Sequence, residues 1–286
     1  MTRKIPIFII PSVIIIASLL NIESVIAGMK NAIEICISSV IPSLFIFMVL
    51  SDMTASFFIA SDIKIPPKAI SFILGALCGF PIGASTCSQL YEKGLLNKKE
   101  CEKIIPYCNN AGPAFIIGAI GSSMLHNKTI GILLFLAQTI SSFILLLPTR
   151  IKKAKIKENK VKIHIFDTFL HAIESSTLKI LKICGLICFF TAVLSLLQDT
   201  VFSYAALILE ISCASSLCSN LFKIHPYIAM LLLGFSTGFS GICVHMQILS
   251  VAKNTDMKFL PLFYRKIIQG IVCSLISFGL YYFFGT

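Results

Sequence analysis

From residue 5 to residue 284 the chain is a succession of apolar runs, most of them near bilayer length, separated by short polar stretches. A membrane-spanning helix needs about 20 apolar residues, because the hydrocarbon core is about 30 Å thick. The runs fall at residues 5–20, 36–50, 69–90, 104–125, 129–147, 178–197, 201–221, 227–249 and 262–284. Packed into 286 residues, they leave no room for a separate soluble domain. Composition agrees: 56% hydrophobic and 13% charged, where soluble domains carry about 25% charged residues. The same figures exclude intrinsic disorder. The chain reads as an all-α polytopic membrane protein.

Lys and Arg number 24 and Asp and Glu 13, so the net charge is +11. The excess gathers in loops. Residues 150–164 hold Arg150, Lys152, Lys153, Lys155, Lys157, Lys160 and Lys162, opposed only by Glu158. No aromatic residue interleaves with this run, so it reads as a topology signal and not as a nucleic-acid surface. Basic loops stay on the cytoplasmic side. The 11 cysteines lie mostly inside apolar runs and form no CxxC. They read as small buried hydrophobes, not as disulfides or a zinc site. No metal or cofactor is expected.

Charge parity constrains the topology. If every run before residue 150 crossed fully from a cytoplasmic start, the basic loop would fall outside. One run must therefore return to its own side. Residues 69–90 fit, because Gly79-Phe80-Pro81-Ile82-Gly83 makes a tip and not a helix. In the second half, residues 201–221 fit in the same way, with Glu210 in the interior. The expected order is then the same twice: helix, re-entrant hairpin, interrupted helix, helix. Opposite orientations would make two inverted repeats, a common plan of secondary transporters. The expected segments are an extra N-terminal helix at 1–21, a first repeat at 22–149, a basic loop at 150–165 and a second repeat at 166–286. Residues 22–34 read as an interfacial amphipathic helix, and Asn97 with Glu100 as a helix capping box.

Broken backbone survives at membrane depth only where protein or a wet cavity satisfies it. Three breaks are expected. The first holds Gly79, Pro81 and Gly83, with Ser85 just beyond. The second holds Asn109, Asn110, Gly112 and Pro113. The third holds Ser236, Thr237, Gly238, Ser240 and Gly241. Glu210 reads as the one acid deep in an apolar run, with Ser212 beside it. A mid-bilayer carboxylate costs about 2.5–3.5 kcal/mol on insertion scales, so such a group lines a cavity or an ion path. These residues are the candidate substrate or ion site. No Lys or Arg is expected deep in a run. A coupling ion, if one exists, is a proton or sodium. A hydrolase reading rests on Ser236 or Ser240 in Gly-rich patterns, but G-x-S-x-G needs a strand before it. No nucleic-acid partner is expected; the partners are a small solute, the bilayer, and a second copy or other membrane proteins.

The run Gly79-Phe80-Pro81-Ile82-Gly83-Ala84, then Leu90-Tyr91-Glu92-Lys93-Gly94-Leu95, then residues 109–118, closely resembles the YlbJ-like sporulation integral membrane protein family. Residues 40–45 and 209–212 fit it too, and the resemblance spans about 28–284. It implies a gate, or nucleoside-recognition, domain, distantly similar to the concentrative nucleoside transporters. There, stretches like 234–240 and Glu210 belong to the substrate site. It also implies transport during endospore formation, with dipicolinic acid moved toward the forespore at its outer membrane. The nucleoside carriers have polar and acidic residues at the first tip; here Phe80, Pro81 and Ile82 stand instead. A nucleoside or ion permease and a non-transporting sporulation scaffold are the alternatives.

Overall fold

The computed structural model describes residues 5–61, 65–149, 164–197 and 201–285. The described residues form thirteen α-helices with short π-helical and 3-10 segments, and no strand. The basic loop lies outside them, apart from its last residue, His164 and the segment beyond it.

Helix α1, Ile5–Leu20, meets α2, Ile22–Ile35, at a bend of 99°. From α2 the chain stays helical through a π segment, Cys36–Val40, into α3, Ile41–Ala60. This column packs against α8, Ile165–Ser195. The two run antiparallel: Gly28 lies against Ser195, Cys36 faces the Cys184 carbonyl, and Asp52 meets Lys179. The expected interfacial helix at 22–34 is therefore the first part of this column. A Cβ on Gly28 would lie 2.7 Å from Ser195 Cβ. That close approach seats α2 on α8 and not on a lipid headgroup layer.

The predicted hairpin is α4, Pro67–Cys78, and α5, Ile82–Glu92, which pack on each other. Gly79 turns the chain at φ +87°, a conformation that favours glycine. A Cβ on Gly75 would sit 3.0 Å from Gly83 Cα, so the arms converge below the tip. Helix α6, Lys98–Cys108, opens with the expected capping box: Glu100 N–H donates to Asn97 and Asn97 N–H donates to Glu100. After the break at 109–113 a π segment, Ala114–Met124, leads to α7, Lys128–Leu146.

The second half repeats this order of elements. Helix α8 is followed by a 3-10 turn, Val201–Ala205, and α9, Ala206–Leu209. Glu210 then turns the chain into α10, Ile211–Phe222, which packs back on α9. Next come α11, Pro226–Phe239, and α12, Gly241–Val251, with one corner at Ser240, φ +72°. Helix α13, Phe259–Phe284, closes the chain.

Among the described residues, α7, α8, the α11–α12 pair and α13 are long and apolar enough to cross a membrane. The bent α1–α2 pair makes a fifth candidate if it counts as one span. Helices α4 and α10, 12 residues each, are too short to cross. Large apolar side chains such as Phe8, Ile10, Leu181 and Leu275 are more than half exposed. A bilayer covers such surface, whereas water would not tolerate this much of it. The chain is a multi-pass membrane protein.

Loop contacts gather at one end. Lys68 Nζ donates to the Thr149 carbonyl (3.1 Å), Asn254 Nδ2 to Glu92 Oε1 (2.5 Å), and Lys98 pairs with Asp256 (2.9 Å). Both ends of the first hairpin therefore share a side with the start of the basic loop, as charge parity requires.

A cavity among the helix breaks

Four breaks converge in pairs. Gly79, at the first tip, touches Gly112 in the second break: a Cβ there would lie 3.0 Å from Gly112 N. Gly241, φ +79°, touches the Glu210 break, and its Cβ would lie 3.0 Å from the Leu209 carbonyl oxygen. Each half thus seats a hairpin tip on the corner of its interrupted helix. Only glycine allows the backbones so close.

Between the pairs lies a cavity of about 400 Å³, in the range of small-molecule sites. Its walls are mostly apolar, with Phe80, Phe115, Ile183 and Val244 among them. Its polar side chains are Ser38, Ser123, Glu210, Ser212 and Gln247. Glu210 is 2% exposed, in extended backbone at the start of α10. Its Oε2 accepts the Cys213 N–H at 2.8 Å. A carboxylate there satisfies a free helix N–H and meets the positive end of the helix. The Oε1 of Gln247 is buried without a partner.

Of the expected site residues, Gly112, Glu210 and Ser212 line the cavity. Gly79 abuts Gly112; Pro81 and Pro113 begin the segments after their breaks. Gly83 is packed against the Cys108 carbonyl and does not face the cavity. Asn109 and Asn110 stand behind the wall. Asn109 Oδ1 accepts the Ala84 N–H (3.3 Å), tying the first hairpin to the break. Asn110 Oδ1 accepts from Ser142 Oγ (2.9 Å) and Gln269 Nε2 (2.7 Å). Gln138 both donates to the Ala111 carbonyl and accepts its N–H. Side chains of α7 and α13 thus satisfy backbone that the break leaves free, as membrane depth demands.

The third expected break is shorter than its sequence suggests. Residues 234–239 are helical, and only Ser240-Gly241 turns. Gly234 and Gly238, four apart, face α13: their Cβ atoms would lie 2.0 Å from Ser277 Oγ and 2.7 Å from Cys273 Cβ. They are a close-packing seam of small residues. Ser236 and Thr237 therefore sit within α11, where Thr237 Oγ1 donates to the Leu233 carbonyl (2.9 Å). Ser240 Oγ donates to the Thr237 carbonyl (3.2 Å).

Two expectations about charge are overturned. Glu210 is not the one buried acid: Asp52, 8% exposed, lies in α3, which runs ten residues past the predicted span. Nor are the apolar runs free of deep cations. Lys179 Nζ pairs with Asp52 Oδ2 (2.6 Å) and donates to Ser85 Oγ (2.8 Å), while Gln89 Nε2 donates to Asp52 Oδ1 (2.9 Å). Ser85 belongs to this cluster and not to the cavity. Lys266 is fully buried in α13; its Nζ donates to the Asn109 carbonyl (3.2 Å) and to Gln269 Oε1 (2.9 Å). Sequence reading missed both lysines because each lies near the start of a predicted apolar run, at 178 and 262, where loop and span cannot be separated by hydropathy. The Lys266/Gln269 spacing, one turn apart on one face, was the available signal.

No family model matches the chain, and no solved structure matches it. It is 24% identical to the sporulation integral membrane protein YlbJ of Bacillus subtilis (strain 168), over 86% of this chain and 74% of that protein. The chain is thus similar along most of its length to a sporulation integral membrane protein, and its own architecture is all-helical and multi-pass.

Proposed function

We propose that the chain is a membrane carrier for a small polar or anionic solute, acting in a sporulating cell. The observation that carries this reading is the cavity lined by residues of three helix breaks, Phe80, Gly112 and Glu210, with the fourth break packed against Glu210. Backbone irregularity is costly in a membrane and is kept where a solute or ion binds. In this reading the two halves are inverted repeats. Alternating access comes from the hairpins and broken helices moving against α3 and α8.

The solute implied by the family resemblance is dipicolinic acid, and the membrane is the outer forespore membrane. Its carboxylates would be received by helix N-termini and by Ser38, Ser123 and Ser212. Glu210 is the ionisable group on the cavity wall. No catalysis is part of this reading, because Ser236 and Ser240 do not bond to a histidine; His245 Nε2 is engaged with the Phe239 carbonyl (2.9 Å).

The test is uptake of labelled dipicolinate by proteoliposomes containing the purified protein. Uptake above that of protein-free vesicles, lost in Glu210→Gln at equal protein content, supports the carrier. Background uptake of dipicolinate, nucleosides and metal ions alike overturns it in favour of a scaffold that recruits partners through residues 150–164.

A further inference from the structure

Two buried bases remain outside this account. Lys266 and His245 are both fully buried, and Phe263, three residues before Lys266 on α13, packs edge-on to the His245 ring at 6.0 Å. Each is bonded to a backbone carbonyl at an interrupted helix. Lys266 Nζ donates to the Asn109 carbonyl, where α6 breaks. His245 Nε2 meets the Phe239 carbonyl, where α11 breaks. A carbonyl can only accept, so Nε2 carries the hydrogen and Nδ1 is an open acceptor. That Nδ1 is buried with no partner. Lys266 has three N–H when charged and two neutral oxygen partners.

The surroundings hold no counter-charge. The described residues contain two ion pairs, Lys98–Asp256 and Lys179–Asp52, and neither involves Lys266. Cys273 stands near it on α13, and α6 ends beside it in Tyr107 and Cys108. Helices α7 and α11 bring Ser141, Ser142 and Thr237, none of which titrates in this range. Cys243 shares α12 with His245, and the Glu210 corner lies by Cys243. Phe239, Phe259 and Phe263 enclose the imidazole. A buried ammonium without a carboxylate is held at high cost unless it can release its proton.

We propose that Lys266 and His245 form one buried proton-binding site spanning the two interrupted helices, so that the ion moved with solute is a proton. Free carbonyls at broken helices are where secondary carriers coordinate cations. Here a basic side chain occupies one carbonyl at each interrupted helix, Asn109 and Phe239, and a proton, not sodium, is the ion that a basic side chain binds. Gain or loss of the Lys266 proton changes its bond to Asn109, and Asn109 Oδ1 in turn holds the first hairpin through the Ala84 N–H. Charge state and hairpin position are thereby linked. The inference rests on the carrier reading for its coupling role, but not for the existence of the proton site.

The experiment has two arms. In the first, melting of detergent-solubilised protein is followed from about pH 6 to about pH 10, the range below ordinary lysine titration. Wild type, Lys266→Met and His245→Gln are compared. Gln at 245 keeps an N–H for the Phe239 carbonyl but does not titrate. The expected result is a pH dependence in wild type that both variants lose; overlaid profiles overturn the site. Should Lys266→Met fail to fold, His245→Gln alone decides this arm. In the second arm, proteoliposomes are loaded with dipicolinate gradients under an imposed pH or sodium gradient. One pH unit should raise accumulation about tenfold for one proton per solute, with no response to sodium, and His245→Gln should abolish the rise. Accumulation driven by sodium overturns the inference. A melting difference with background uptake of dipicolinate, nucleosides and metal ions alike upholds the proton site and sinks the carrier reading.

Discussion

The two hairpin tips meet the same geometric demand with opposite chemistry. At the first, Gly79 turns the chain, Phe80 lies edge-on to Phe115 at 6.4 Å, and Gly112 receives the tip. At the second, Glu210 turns it in extended backbone, its carboxylate caps α10, and Gly241 receives the corner. In both, a glycine stands where backbones cross. The crossing is therefore the shared requirement, and side-chain chemistry is free to differ. That freedom places the cavity's ionisable group on one side, facing an aromatic wall on the other.

Breaking the crossings should have the largest effect. A side chain at Gly83 would meet the Cys108 carbonyl oxygen at 1.9 Å, and that neighbour is backbone and cannot yield. Gly83→Leu should cost about 3 kcal/mol or more and abolish the monodisperse peak in size-exclusion chromatography. Gly118→Ala, with open space around it, should leave that peak unchanged. Equal behaviour of the two would mean that the crossing is not what the first hairpin depends on.

The chemical difference between the tips is sharpened next. Glu210→Gln keeps a carbonyl oxygen to accept the Cys213 N–H, so the protein should stay folded while uptake is lost. Phe80→Ala removes bulk from the opposite wall without removing a charge, so uptake should persist with weaker solute affinity. Full activity in Glu210→Gln would make the acid a helix cap and nothing more.

Smaller effects separate the buried clusters around the first half. Asp52→Asn should lower stability by about 2 kcal/mol, because it strands the Lys179 ammonium. Asp52→Asn combined with Lys179→Met should recover part of that loss, as a double-mutant cycle in thermal melting would show. Asn110→Ala leaves Ser142 and Gln269 without their acceptor and should cost about 1–3 kcal/mol. At the capping box, Asn97→Ala should cost about 1 kcal/mol.

The smallest effect belongs to the exposed Lys98–Asp256 pair. The Lys98 hydrogen bond holds the Asp256 carboxyl below its usual range, and Asp256 holds the Lys98 ammonium above its own. The depressed acid contributes above the unfolded carboxyl range and loses that contribution as pH falls through its folded value. The raised lysine contributes below the unfolded lysine range and loses it as pH rises. Asp256→Asn should flatten both flanks of the melting profile slightly, and more so at low salt.

Sequence alone determined the membrane class, the hairpin at Gly79, the break at 109–113 and the buried acid at Glu210. Each is a local fact: a run length, a glycine where φ is positive, or a charge whose isolation in an apolar run is visible in one dimension. The capping box at Asn97 was legible for the same reason. Tertiary structure alone decided that Gly234 and Gly238 form a packing seam and not a break, since the difference lies in what α13 places opposite them. It also decided that Asp52 meets Lys179 across 127 residues of chain, and that Lys266 reaches the Asn109 carbonyl across 157. Hydropathy averages a long lysine into its helix; only packing shows which carbonyl its ammonium reaches, and hence whether water or the protein interior surrounds the charge.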